Sequence, residues 1–369
     1  MERYLKPHVR DDLTRKMVLL GGPRQVGKTF LAKGILGRST AGYLNWDIPA
    51  QRQQILKREL PATKLIVFDE IHKYRGWRNY LKGVFDEFHP AKKILVTGSA
   101  RLDLYRFGGD SLQGRYYFLR LHPLSVAELE ASEKDFAALL TLGGFPEPFL
   151  AGSPRLAKRW SNEYRERLVR EEISALENIQ NLGALELLMM RLPDLVGSPL
   201  SVNALREELQ LNHQTVSRWL DVLERMYAIF RLAPFGAPKI RAVKKERKHY
   251  HFDWSVVPGE PARFENMVAA HLLKWIDFQK DTEGRLLELR YFRDVDRREV
   301  DFIVVEGRRP IMMIECKLND QALSPSLKYL AERFPTTPAF QIAAHGRKDV
   351  MVSKQIRLMP ARRFLADLA

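Results

Sequence analysis

Residues Gly22, Pro23, Arg24, Gln25, Val26, Gly27, Lys28 and Thr29 spell G-x-x-x-x-G-K-[ST]. These residue types suit a triphosphate. Gly22 and Gly27 let the backbone curl so that N–H groups face phosphate oxygens. Lys28 sets a charge against the β- and γ-phosphates, and Thr29 offers a hydroxyl to Mg²⁺. The helix that opens at Lys28, with Phe30 in its first turn, adds its positive N-terminus. ATP and Mg²⁺ are the expected cofactors.

A second cluster follows. Lys64–Lys73 reads KLIVFDEIHK, an apolar strand ending in two acids. Asp69 is expected to hold the Mg²⁺ shell, and Glu70 to polarise the attacking water. The next strand ends in VTGSA, where Thr97 or Ser99 would sense the γ-phosphate.

A third set of acids lies near the C-terminus. Glu265 sits on an amphipathic helix (Ala262–Trp275), Asp301 on a strand (Arg298–Glu306), and Glu315 and Lys317 on another (Pro310–Leu318). Glu315 and Lys317 are two apart and share a strand face, while alternation sets Asp301 opposite Phe302. Asp301 and Glu315 are expected to hold Mg²⁺, with the Cys316 carbonyl as a further ligand. Lys317 would orient or deprotonate water, and Glu265 would complete the shell. The bland reading is a buried ion network that has lost catalysis.

The elements that must position these residues follow from periodicity. To about residue 122, apolar runs at 16–20, 43–46, 65–69, 94–98 and 116–119 alternate with helical patterns at 28–37 and 77–88. Apolar strands alternating with helices imply a parallel sheet covered on both faces. Residues 125–191 read as helical. Val202–Leu209 and a longer stretch from Gln214 carry helical spacing around a tight turn, which suggests a helix-turn-helix. Its second helix would present His213, Gln214, Ser217 and Arg218 to phosphates or base edges. Lys239–His251 follows, with Lys239, Arg241, Lys244, Lys245, Arg247 and Lys248 against Glu246 alone. It reads as a basic wing.

The chain of 369 residues carries 60 Lys and Arg against 45 Asp and Glu, a net charge of +15. A polyanionic partner is therefore expected, because basic patches release counterions from nucleic acid. No run reaches the ~20 apolar residues of a membrane-spanning helix. One cysteine excludes an internal disulfide and any multi-cysteine metal site. The N-terminus shows no apolar leader, and a cytoplasmic location is expected.

Together, the phosphate loop, the Asp-Glu strand end, VTGS, GRYYFLRLHPLSVAEL and GGFPEP resemble a family of prokaryotic AAA-type P-loop ATPases carrying a C-terminal domain of uncharacterised function. The resemblance covers nearly the whole chain. It implies an arginine reaching a neighbouring subunit's nucleotide, Arg115 here, with Arg101 and Arg120 as competitors, and hence a homo-oligomer, ring or dimer. It also implies a winged helix in the middle. The helix-Glu, Asp, E-x-K order, with EVDFIVV and IECK, resembles the PD-(D/E)XK (restriction-endonuclease-like) superfamily. The expected fold class is α/β multidomain: a AAA-type core (1–124), a helical lid (125–191), a winged helix (192–247) and a nuclease-like domain (248–369). The expected function is an ATP-hydrolysing DNA-binding protein with a Mg²⁺-dependent nuclease. The alternative is an ATPase switch of regulatory or toxin–antitoxin type, whose nuclease-like domain only binds a partner or a DNA structure.

Overall fold

The computed structural model describes residues 2–98, 102, 112–129, 132–173, 181–236 and 247–368. The chain divides into two compact units: residues 1–123 with 281–283, and residues 124–280 with 284–369.

The first unit is a five-stranded parallel sheet. Its strands are β1 (Met17–Gly21), β2 (Tyr43–Asn45), β3 (Leu65–Asp69), β4 (Lys93–Thr97) and β5 (Tyr116–Arg120), in the order β2-β3-β4-β1-β5. β1 is buried along its whole length, as a strand covered on both faces requires. Helices Lys28–Leu36 and Trp77–Phe88 lie where the sequence periodicity sets them. One core cluster joins Met17, Leu19, Phe68 and Val96 of the strands to Trp77, Leu81 and Val84 of the second helix. Register pairs Leu20 with Thr97, and Thr97 with Asp69. The phosphate loop, Thr97 and Asp69 therefore emerge together at the strands' carboxyl ends.

The second unit opens with helices Glu133–Leu142, Pro146–Ala151, Pro154–Arg167 and Leu182–Arg191. β6 (Pro199–Leu200) leads into helices Val202–Glu208 and His213–Arg225, then β7 (Ile229–Pro234) and β8 (Arg247–His251). The longer helix starts where Asn212 Oδ1 accepts the Thr215 N–H at 2.7 Å, and it buries Val216, Trp219, Leu220 and Leu223 on one face. β8 pairs antiparallel with both β6 and β7.

Helix Glu260–Glu283 follows, then β9 (Leu287–Arg293), β10 (Glu299–Glu306), β11 (Arg309–Lys317), helix Pro325–Arg333, β12 (Ala339–Ala343), β13 (Val350–Met351), β14 (Ile356–Pro360) and helix Ala361–Ala366. Among the described residues, the strands of this unit join one sheet, ordered β13-β14-β12-β11-β10-β9-β7-β8-β6. β9, β10 and β11 are antiparallel, whereas β11, β12 and β14 run parallel.

Candidate functional site

In the first unit, the phosphate loop leaves β1 through Gly22. Its φ is +127°, and a Cβ there would sit 2.3 Å from the Leu121 carbonyl oxygen, so only glycine fits. Val26 is fully buried, Arg24 half-buried and Gln25 exposed. Lys28 is buried, and its ammonium donates to the carbonyls of Gly22 and Pro23. Arg3 braces the loop from behind by donating to the Val26 carbonyl at 2.6 Å and to the His122 carbonyl. Phe30 points to solvent, 68% exposed.

Asp69 gathers three hydroxyl donors. Thr29 Oγ1 reaches Oδ2 at 2.9 Å, Tyr43 donates to the same oxygen, and Thr97 Oγ1 reaches Oδ1 at 2.6 Å. A threonine hydroxyl against a carboxylate oxygen is a donor set that a hard cation accepts, so Mg²⁺ fits here. Thr97 is fully buried, and its hydroxyl braces Asp69. Tyr43 was not foreseen. Only its place two residues from the end of β2, beside Asp69's strand, pointed to it.

Glu70 follows in left-handed conformation, with φ of 58°. Burial pushes its carboxyl above the usual carboxylate range, while Lys73, with Nζ at 3.2 Å, pulls the other way. Ser99 and Arg101 lie outside the described residues. Arg115 forms a two-pronged pair with Asp86 at 2.7 and 3.0 Å.

In the second unit the acids converge, with one surprise. β10 bulges against β9: Val300 pairs with Phe292 but Ile303 with Arg290. Val300 and Ile303 consequently join the same core cluster, and the alternation that set Asp301 opposite Phe302 is interrupted. Within the bulge, Asp301 Oδ2 accepts the Cys316 N–H at 2.8 Å. Lys317 Nζ donates to Glu315 Oε1 at 2.8 Å. Glu315 Oε2 is buried and makes no hydrogen bond among the described residues, although the Ser324 hydroxyl lies close enough to favour its charge. Burial first, and the Asp301 charge second, raise the carboxyls of Glu265 and Glu315; burial also raises Asp301. Burial pushes the Cys316 thiol well above its ordinary range. An orphaned carboxylate oxygen among mutually repelling carboxylates fits a divalent cation. Among the described residues, no group of three or more His, Cys, Asp or Glu side chains is arranged to hold a metal. The candidate set here is two carboxylates and a main-chain carbonyl.

Glu265 does something else. Its Oε1 accepts from Tyr250 at 2.7 Å and from Lys248 at 3.4 Å. Lys248 is fully buried and also pairs with Glu299. Burial works against its charge, but Glu265, Asp301 and Glu299 outweigh it and raise its pKa. The expectation of Lys248 on a solvated wing is therefore wrong: it is a strand residue beneath the acids. Arg247 is also in β8, while Lys239, Arg241, Lys244 and Lys245 lie outside the described residues. On helix His213–Arg225, His213, Gln214 and Arg218 are exposed and Ser217 is half-buried. Ser217 Oγ and His213 Nδ1 are 3.4 Å apart.

A parallel sheet with the phosphate loop, Asp69 and Glu70 at its carboxyl edge defines a P-loop nucleotide site. Residues 14–130 match the family model described as AAA domain. The chain carries an AAA-type P-loop ATPase domain. Residues 133–258 and 262–364 match two further models, each a domain of unknown function (DUF8612 and DUF4143). An uncharacterized protein of Haemophilus influenzae is 24% identical over 82% of this chain and 82% of its own. One from Mycobacterium tuberculosis is 26% identical over 80% of this chain and 68% of its own. Among solved structures, a DNA polymerase III gamma subunit-related protein of Thermotoga maritima covers 60% of this chain and 97% of its own, at 11% identity and TM-score 0.30. The S. cerevisiae Hsp104–ADP complex covers 77% of this chain and 44% of its own, at 14% identity and TM-score 0.31. No helix among the described residues is long and apolar enough to cross a membrane.

Proposed function

We propose that this chain is an ATP-hydrolysing DNA-processing protein whose second unit cleaves phosphodiester bonds with Mg²⁺. In the first unit, Lys28 and the loop N–H groups bind the triphosphate, Thr29 and Asp69 would hold Mg²⁺, and Glu70 accepts the proton of the attacking water. Mg²⁺ held there would supply positive charge against the phosphate oxygens. Arg115 would leave Asp86 to reach a neighbouring subunit's nucleotide in a homo-oligomer.

The nuclease reading is carried by one observation: the Asp301 carboxylate, held in a β-bulge on the Cys316 N–H, beside the Glu315–Lys317 pair. Asp301, Glu315 and the Cys316 carbonyl would hold the metal, and Lys317 orients or deprotonates water. The order β6, helix, helix, β7, β8, with β8 between β6 and β7, supports a winged helix. His213, Gln214, Ser217 and Arg218 of its second helix would contact DNA, along with Lys239, Arg241, Lys244 and Lys245 between β7 and β8.

Labelled duplex, flap, junction and single-stranded DNA incubated with Mg²⁺, with and without ATP, tests this. Asp301→Ala is expected to abolish cleavage and spare ATPase, and Lys28→Ala to do the reverse for ATPase. Equal nicking by wild type and Asp301→Ala overturns the nuclease.

The regulatory reading is favoured by the Lys248–Glu265 pair, which commits the helix carboxylate to an ion network. It wins where ATP is hydrolysed, every DNA form stays intact, and Lys28→Ala abolishes binding of a partner or DNA.

A further inference from the structure

A cavity of about 660 Å³ opens in the second unit. That is the size of small-molecule sites, roughly 300–1,000 Å³. Phe136 and Leu140 of helix Glu133–Leu142 form its apolar wall, and Arg347, Arg362 and Arg363 line it from two other segments. One carboxylate, Glu133, joins them; it is 84% exposed and 3.8 Å from Arg362.

Fold and charge both aim this cavity at an anion. Strands β12 and β14 are parallel, so they end on the same side. The 344–347 loop follows β12, Arg362 and Arg363 follow β14, and crevices at strand carboxyl ends are where open α/β sheets bind ligands. The loop is built rather than loose. Asp320 Oδ2 accepts the N–H groups of Arg347 and Lys348 at 3.0 and 3.3 Å. A Cβ at Gly346 would lie 2.5 Å from Asp320 Oδ1, so the close approach needs glycine. Arg347 is thereby fixed at its backbone, while its exposed guanidinium pairs with no carboxylate among the described residues. Arg363 is held by Asp349, which Arg357 also engages at 2.7 Å. A phosphate monoester, with three oxygens and a second charge, can engage more guanidiniums than a carboxylate can.

We propose that this cavity binds a phosphate monoester of a nucleotide, its phosphate on Arg347, Arg362 and Arg363 and its organic portion against Phe136 and Leu140. The phosphate comes from a free nucleotide or from the 5′ end of a nucleic acid strand. The site stands whether or not the Asp301 cluster cleaves DNA.

Calorimetric titration of the full chain tests it, in the Lys28→Ala background so that the P-loop does not compete. Probes are thymidine 5′-monophosphate, thymidine, and oligothymidylate with a 5′-phosphate or a 5′-hydroxyl. The monophosphate is expected to bind and thymidine not. Arg347→Ala should weaken binding about tenfold, the loss of one charge-assisted contact. Arg347→Lys should recover part of it. Glu133→Gln, which removes the opposing carboxylate and no partner of the fold's core, should tighten binding. Phosphorylated oligothymidylate binding more tightly than the mononucleotide identifies a strand end, and equal affinity identifies the free nucleotide. Equal affinity for thymidine and its monophosphate, or unchanged affinity in both Arg347→Ala and Glu133→Gln, overturns the site.

Discussion

Lys73 Nζ stands 3.2 Å from Glu70 Oε2, and the same ammonium reaches Asp47 Oδ2 at 2.6 Å. The proposed general base is thus tied through one lysine to the loop after β2. Burial raises the Glu70 carboxyl and Lys73 lowers it. Removing Lys73 leaves burial and the Asp69 charge opposed by the weaker pull of Lys28, so the carboxyl rises further. A base must be deprotonated to work, and its activity is lost as pH falls through its pKa. Lys73→Met is therefore expected to move the acidic limb of the ATPase profile upward by about one pH unit, the scale of one neighbouring charge. Initial rates between pH 5 and 9 check this, and a limb that stays put or moves down refutes it.

Tyr43 makes a different prediction. Its hydroxyl donates to Asp69 Oδ2, beside the Thr29 hydroxyl on the same oxygen. Burial and Asp69 push the phenol well above its ordinary pKa, so it remains a donor at any working pH. Tyr43→Phe leaves Asp69 with Thr29 and Thr97. Hydrogen bonds to charged groups are worth about 1.5–3 kcal/mol, so the first unit should lose about that much stability. ATP turnover should fall, because Asp69 gains freedom at the metal position. Urea unfolding beside steady-state ATPase measures both, and full stability in the variant would sink the role.

The N-terminal sheet was legible because its strands are short apolar runs and its phosphate loop is a local motif. Asp69, Glu70, Lys28 and Thr29 all lie within a few residues of a strand end, so spacing alone locates them. The helix pair 202–225 was legible for a similar reason: Val216, Leu220 and Leu223 repeat at helical spacing. What failed depends on distant partners. Lys248 looks like one more cation in a basic run, and only Glu265 and Glu299, remote in sequence, make its burial tolerable. The Asp301 bulge failed for the opposite reason. Strict alternation is a rule of regular ladders, and one extra residue on β10 breaks it.

Lys248 supports a prediction of its own. It is a fully buried ammonium between Glu265 and Glu299. Lys248→Met strands Glu265 without its cation and leaves Glu299 with only the longer pair to Arg293 at 3.8 Å. Breaking a buried pair from one side costs about 3–5 kcal/mol. Adding Glu265→Gln to Lys248→Met removes one stranded charge and should recover part of the loss. Chemical denaturation of the two single variants and the double variant measures the coupling. Purely additive effects would mean that the two side chains do not act as a pair.

Buried histidines contribute an acid-sensitive part of the second unit's stability. His271 Nε2 accepts the Val126 N–H at 3.1 Å, and its Nδ1 donates to the Met267 carbonyl at 2.8 Å, so the ring is held neutral in one tautomer. Burial lowers its pKa to about 4, and burial lowers His249 to about 4 as well. In the unfolded chain both titrate near about 6.5. Below that value the unfolded state takes up protons that the folded state refuses. The stability these groups contribute is thus present above about pH 6.5 and is lost progressively as pH falls toward 4. The raised carboxyls of Glu265, Glu315 and Asp301 pull the other way over this range, so the difference between proteins is the readout: as pH falls from 7 to 5, His271→Gln, which can still accept the Val126 N–H, should lose less melting temperature than wild type, at some cost in absolute stability. Thermal melts of wild type and variant at half-unit pH steps decide it: parallel curves would show that His271 carries none of the acid sensitivity.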